Sequence, residues 1–153
     1  MNPLFWAFLL SLAPVSELRG GLPFALASGV TPFIAFVVCV VGNVLIVPIV
    51  FFFLEFIHEK FLHFDSYQSV FDRFMERTRR KAGPLVEKYG VFGLALFVAV
   101  PLPVSGAYTG AAAAWFFGMN YKKAFLSILV GIILSGLIVF SVSYSGLRIF
   151  GWL

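Results

Sequence analysis

Two ionisable residues stand inside an otherwise apolar stretch near the start of the chain. Glu17 and Arg19 lie two positions apart, with apolar residues on both sides of the pair. Charges inside a membrane are costly, so a functional role is the default interpretation of such residues. The carboxylate could bind a proton or a cation, and the planar guanidinium could bind a phosphate or another oxyanion. Alternatively, the two groups neutralise each other or hold the local backbone together.

Uncharged polar residues accompany this pair and recur about 90 positions later in the chain. Ser16 precedes Glu17, and the second segment carries Ser105, Tyr108 and Thr109. These hydroxyls could contribute to a substrate site, or they could only cap helices and support packing. Both segments also contain residues that interrupt helices or allow close backbone approach; these are Pro14, Gly20, Gly21, Pro101, Pro103, Gly106 and Gly110.

The composition indicates that lipid surrounds most of the chain. Of the 153 residues, 61% are hydrophobic and 12% are charged, and 20 are phenylalanine. A soluble domain is closer to half apolar and a quarter charged. We therefore expect an all-α integral membrane protein with a single membrane domain over residues 1–153.

Two apolar stretches are long enough to cross a bilayer, and two more are interrupted. Crossing requires about 20 apolar residues, which predicts transmembrane helices at 32–56 and 124–144. The interrupted stretches, 3–29 and 91–118, are predicted to be re-entrant hairpins, each made of a half-helix, a polar tip and a second half-helix. A kinked single span is the alternative for each of them.

A basic segment, 58–89, links the two apolar parts. The positive-inside rule predicts that this linker is cytoplasmic. At its start, apolar residues recur at steps of three and four, which predicts an amphipathic helix at the membrane surface. This apolar stripe consists of Ile57, Phe61, Phe64, Tyr67, Phe71 and Phe74. Arginines and lysine in 77–81 could also bind a specific lipid or partner. His58 and His63 are expected to be solvated, and no soluble basic face suited to nucleic acid is present.

The two apolar parts resemble each other in sequence. Shifting the chain by 89 positions without a gap aligns Pro14-Val15-Ser16 with Pro103-Val104-Ser105 and gives 13 identities between positions 8 and 49. We therefore predict an internal duplication with repeats at 1–57 and 90–146. One hairpin and one span in each repeat invert the second copy, which brings the two tips together near the midplane and leaves both termini outside the cell membrane.

Several functions are not expected from this sequence. No catalytic serine, histidine and aspartate set, metal cluster or phosphate-binding loop is recognisable, so we expect neither an enzyme nor a bound cofactor or metal. Asn43 is expected to form a hydrogen bond between helices. The expected partners are membrane lipids and a small amphiphilic substrate. Because one copy encloses little volume, a homodimer is also expected.

The two tips resemble the motifs of a known family. Ala13-Pro14-Val15-Ser16-Glu17-Leu18-Arg19-Gly20-Gly21-Leu22-Pro23 is similar to the signature of the family named putative small multidrug export proteins, and residues 101–110 resemble its second motif. More distantly, the hairpins resemble the DedA superfamily, which implies movement of polyprenyl phosphate or phospholipid. That superfamily carries an arginine in its second tip, where this chain has Tyr108.

Three functions follow as hypotheses. The first is a transporter or lipid translocase for an anionic or amphiphilic lipid-like substrate, with Glu17 and Arg19 opposite residues 105–109. The half-helix that begins near Gly20 directs its amide groups to the midplane, which favours an anion. The second is a proton-coupled exporter of hydrophobic cations that uses Glu17. The third is a membrane scaffold that acts through its basic linker without transport.

Overall fold

The computed structural model describes residues 2–61, 63–101 and 106–149, and these are helical apart from short connections. In chain order the helices are α1 (Pro3–Leu12), α2 (Glu17–Ala27), α3 (Pro32–Phe52), a π-helical turn (Phe53–Ile57), α4 (His58–Phe61), α5 (Asp65–Tyr89), α6 (Val91–Ala99), α7 (Ala107–Phe116) and α8 (Tyr121–Ile149).

Two long apolar helices form the frame of the fold. Helix α3 continues through the π-helical turn into α4, so one rod runs from Pro32 to Phe61, and α8 runs from Tyr121 to Ile149. By length and composition both can cross a membrane, as predicted for 32–56 and 124–144. Much of the outward face of both helices is apolar and exposed, which suits contact with lipid.

The four short apolar helices form two pairs, and each pair folds back on itself. In the first pair, a Cβ built on Gly21 of α2 would overlap Ser11 and the carbonyl of Ala7, both on α1. In the second pair, a Cβ built on Gly110 of α7 would lie 2.5 Å from the Val98 side chain of α6. At about 1.5 Å per residue, helices of this size cover about half of the hydrocarbon thickness.

Each pair also packs on the long helix that follows it. Helix α1 lies against α3 at Gly42, where Phe8 and Ser11 are the nearest side chains, and the amide of Asn43 donates to the Ser11 carbonyl at 3.2 Å. Helix α6 lies against α8 at Gly131, next to Val98. The predicted helix-to-helix role of Asn43 is therefore confirmed.

The two halves, α1 to α3 and α6 to α8, are joined because the second short helix of each half packs on the long helix of the other; we call this the exchange. Helix α2 packs on α8, α7 packs on α3, and the two long helices also contact each other. The region between the long helices is filled by small and aliphatic side chains such as Leu22, Ala111 and Ile128. This exchange brings the start of α2 next to the start of α7.

Helix α5 packs on the rest of the protein along one side. Met75, Thr78, Ala82 and Val86 of α5 are buried, and the helix contacts α6 and α7. Of the predicted apolar stripe, Phe71 and Phe74 are partly buried beside Leu54 and Trp115, whereas Phe61 and Phe64 are exposed. Protein therefore covers much of the apolar side that was assigned to the membrane surface.

Candidate functional site

Glu17 is the first residue of α2 and lies inside the protein. Its side chain is 9% exposed, and its backbone has a φ of 45°. Positive φ is uncommon for a residue with a Cβ and persists where the surrounding structure holds it. The hydroxyl of Ser16 donates to the carbonyl of Leu10 at 2.5 Å. This bond ties the start of α2 to the end of α1 and thereby fixes where Glu17 stands.

The carboxylate of Glu17 caps the helix of the other half. The backbone N–H groups of Ala107 and Tyr108, the first two residues of α7, donate to it. The first amides of a helix lack partners within the helix, and the helix dipole favours negative charge there. A Cβ at Gly106 would overlap the carboxylate, so a glycine immediately before α7 is what allows this approach.

A second bond joins the tips in the opposite direction. The hydroxyl of Tyr108 donates to the carbonyl of Leu12 at 2.6 Å, which satisfies a terminal carbonyl of α1. Glu17 and Tyr108 therefore each reach from one helix pair to the other. We call these two interactions, Glu17 with the start of α7 and Tyr108 with Leu12, the tip contact.

Arg19 lies near the tip contact and is partly buried. Its positive charge interacts with the carboxylate of Glu17. The structure thus brings together Glu17, Arg19 and Tyr108, three of the six residues predicted to bind substrate. Thr109 is nearby and buried, and its hydroxyl donates to the carbonyl of Gly106 at 3.3 Å, which is a local helix-start bond.

The remaining predicted residues divide into tip and packing positions. Ser105 and Pro103 lie outside the described residues. Pro14 is exposed at the turn and Pro101 is partly buried. A Cβ on Gly20 would meet the Ser16 side chain at 2.5 Å. Gly21 and Gly110 serve helix packing, as described above, and do not face the carboxylate.

Sequence reasoning missed a buried cluster at the start of the linker, around His58. His58 is 6% exposed, so the prediction that it is solvated is wrong. Its Nδ1 lies 2.9 Å from the Tyr67 hydroxyl, and its ring centre is 3.9 Å from that of Phe71 and 5.7 Å from that of Trp115. Burial raises the pKa of Tyr67. The i to i+9 spacing of His58 and Tyr67 follows no helical period, so the sequence offered no signal for this pair.

Metal binding finds no support within the described parts of the chain. There, no three side chains from histidine, cysteine, aspartate and glutamate converge on a position that could hold an ion. The one acid at the tip contact already has backbone donors as partners. Chemically, the Glu17 side chain can instead bind and release a proton or a small cation.

Comparison with known families identifies the family of this chain. A family model described as "Putative small multi-drug export protein" matches residues 17–138, which include the rod from Pro32 to Phe61 and the first part of α8. The chain belongs to this family. As a member of the small multidrug export family it is a membrane protein, in agreement with its apolar helices. Neither the curated proteins nor the solved structures contain a match to it, and the more distant resemblance to the DedA superfamily stays a prediction.

Proposed function

We propose that this member of the small multidrug export family is a proton-coupled exporter of small amphiphilic molecules, with the tip contact as its gate. The observation that supports it best is the Glu17 carboxylate, which accepts hydrogen bonds from the first amides of α7 across the junction of the two halves. In this proposal Glu17 is the proton site, and Arg19 and Tyr108 adjoin the substrate.

Protonation changes the strength of the tip contact. Hydrogen bonds from amides to an ionised carboxylate are about twice as strong as those to a neutral acceptor. An ionised Glu17 therefore holds α2 and α7 together, and a proton or a substrate cation that neutralises it weakens the contact. This gives a physical link between proton binding and opening, which an exporter driven by a proton gradient requires.

An inverted repeat would supply the two alternating states. Gly21 and Gly110 are 89 positions apart and both face the first short helix of their half, as do Gly42 and Gly131. The exchanged packing of α2 on α8 and α7 on α3 has the same symmetry. These observations support two equivalent halves with re-entrant hairpins, and transporters built in this way place their sites where broken helices meet.

An anionic, lipid-like substrate is the second candidate, and Arg19 is the observation that favours it. A guanidinium at the tip suits a phosphate group. However, the sequence favoured an anion at the half-helix near Gly20, whereas the free amides that the structure presents at the tips are those at the start of α7, and Glu17 already accepts from them. A phosphate at that position would have to displace the carboxylate, so this function requires a larger rearrangement of the tip contact than cation export does.

Transport into proteoliposomes tests the proposal. Purified protein is reconstituted under an imposed pH gradient with a lipophilic cation, tetraphenylphosphonium, or with a fluorescent polyprenyl phosphate. We expect the wild type to move the cation, and Glu17→Gln to reduce the rate at least tenfold. The matched control is Glu87→Gln, which removes an exposed acid from α5 and should leave the rate unchanged.

The same assay distinguishes the candidates. Under cation export, Arg19→Ala retains transport while Glu17→Gln does not. If the polyprenyl phosphate moves and Arg19→Ala abolishes its movement, the substrate is the anion and the cation proposal is wrong. If neither compound moves and Arg79→Ala with Arg80→Ala removes a cellular phenotype that tip variants retain, the scaffold hypothesis is the better one.

A further inference from the structure

Four of the six basic residues of α5 lie together on one side of the helix, apart from its acidic residues. At about 100° per residue, Arg73, Arg77, Lys81 and Lys88 fall within a sector of about 80°, which we call the basic flank. The acidic residues of this helix fall in a different sector of about 60°, on the other side of the buried face; they are Asp65, Asp72, Glu76 and Glu87. The basic flank therefore carries four cations and no acid.

A shallow groove lies at the start of the basic flank. It has a volume of about 360 Å³ and is lined by Val70, Arg73, Phe74 and Arg77. Val70 is 69% exposed, so an apolar side chain lies open beside the arginines. The groove thus places two guanidinium groups beside an apolar floor.

The groove lies close to the end of the apolar rod. Phe74 packs in a small cluster with Val50, Phe53 and Leu54. These three residues lie where α3 ends and the π-helical turn begins. The apolar surface of a span ends where the lipid headgroups begin. The basic flank is therefore at the height at which a bilayer presents its phosphates.

We propose that the basic flank binds the headgroups of anionic phospholipids in the surrounding membrane. The arginines match phosphate oxygens in geometry and charge, and Val70 and Phe74 match the glycerol and upper acyl region of the same lipid. Each basic residue close to an anionic surface contributes about fivefold to the binding constant. The proposal concerns regulation or anchoring by lipid and does not depend on the proposed transport function.

Lipid retention measured by native mass spectrometry tests this inference. Full-length protein in detergent is mixed with equal amounts of phosphatidylglycerol and phosphatidylcholine, and bound lipids are counted. We expect the wild type to retain phosphatidylglycerol preferentially, and Arg73→Gln with Arg77→Gln to lower this retention by roughly tenfold or more. The control pair, Arg79→Gln with Arg80→Gln, removes the same charge from a different groove, which Glu76 and Glu87 also line, and should change retention less than twofold.

Each other outcome contradicts the inference. Equal retention of the two lipids would show that the flank does not select anionic headgroups. Equal loss in both pairs of variants would show a diffuse effect of net charge without a site. Because all four arginines are exposed, a common thermal unfolding temperature is expected and verifies that the variants are folded.

Discussion

Tyr108 shows how a single hydroxyl can join the two halves of this protein. It is partly buried, and it donates to the Leu12 carbonyl at 2.6 Å, across the junction of the two helix pairs. The carbonyl is at the end of α1, where no further helical amide can reach it. Removing the hydroxyl therefore leaves a backbone acceptor without its side-chain partner.

We expect Tyr108→Phe to lower the free energy of unfolding by about 1 to 2 kcal/mol, because a hydrogen bond at a partly buried position is lost without a change in ring packing. The measurement is the thermal unfolding temperature of the detergent-purified protein. Tyr89→Phe is the control, since Tyr89 is 49% exposed at the end of α5. Equal effects of the two substitutions would mean that the tip contact contributes nothing measurable to stability.

The identity of the tip residues could be predicted from the sequence, but their partners could not. Glu17 and Arg19 were recognisable because charges are rare in apolar segments. That the carboxylate caps α7 depends on the exchange of α2 and α7 between the halves, which no local pattern encodes. The offset of 89 residues does contain a hint, because it pairs Glu17 with Gly106, the residue whose missing Cβ makes room for the carboxylate.

At the scale of elements, the first helix pair depends on close approach of two backbones. Gly21 lies where α2 crosses α1, against the Ala7 carbonyl and the Ser11 side chain. Neither atom can move far, because Ser11 also donates to the Ala7 carbonyl at 2.8 Å. Any side chain at position 21 must therefore push the two helices apart.

We expect Gly21→Ala to destabilise the protein by about 1 to 3 kcal/mol through overpacking, although alanine is the better helix former. Gly146→Ala is the matched control, because a Cβ at that position in α8 meets nothing within 4 Å. The control should be neutral or stabilising by up to about 1 kcal/mol. Thermal unfolding of both variants measures the difference, and a Gly21→Ala protein as stable as its control would refute the close crossing.

The sequence predicted the elements better than their ends. The long apolar runs predicted both rods, because about 20 apolar residues have few alternatives to a membrane helix. The extension of the first rod through the π-helical turn to Phe61 was missed, since the charges at Glu55 and Lys60 suggested an earlier end. Of the predicted apolar stripe, Tyr67, Phe71 and Phe74 lie on α5, whereas its first three residues precede that helix. A stripe alone does not distinguish contact with lipid from contact with α6 and α7.

At the scale of the whole molecule, re-entrant helix pairs and a cytoplasmic linker together predict a specific orientation in the membrane. If both helix pairs are re-entrant and the linker is cytoplasmic, the two ends of the first pair are outside and the two ends of the second pair are inside. A kinked span would instead put the ends of each pair on opposite sides.

Cysteine labelling distinguishes these arrangements. In a Cys39→Ala background, we expect Asn2→Cys and Ser28→Cys to react with an impermeant maleimide added to intact cells, and Asn120→Cys to react only after the membrane is opened. All three positions are exposed in the structure. Labelling of only one of the first two positions from outside would favour the kinked span.

The capping of α7 by Glu17 also constrains how the protein is made. The carboxylate and its amide donors are separated by 90 residues of chain, from Glu17 to Ala107. At about 5 to 20 residues per second, the ribosome needs about 5 to 18 s to complete that interval. During this time the first helix pair has no native partner for its acid. Until the second half is made, Glu17 lacks these amide donors, and Arg19 is the charged residue nearest to it in the sequence.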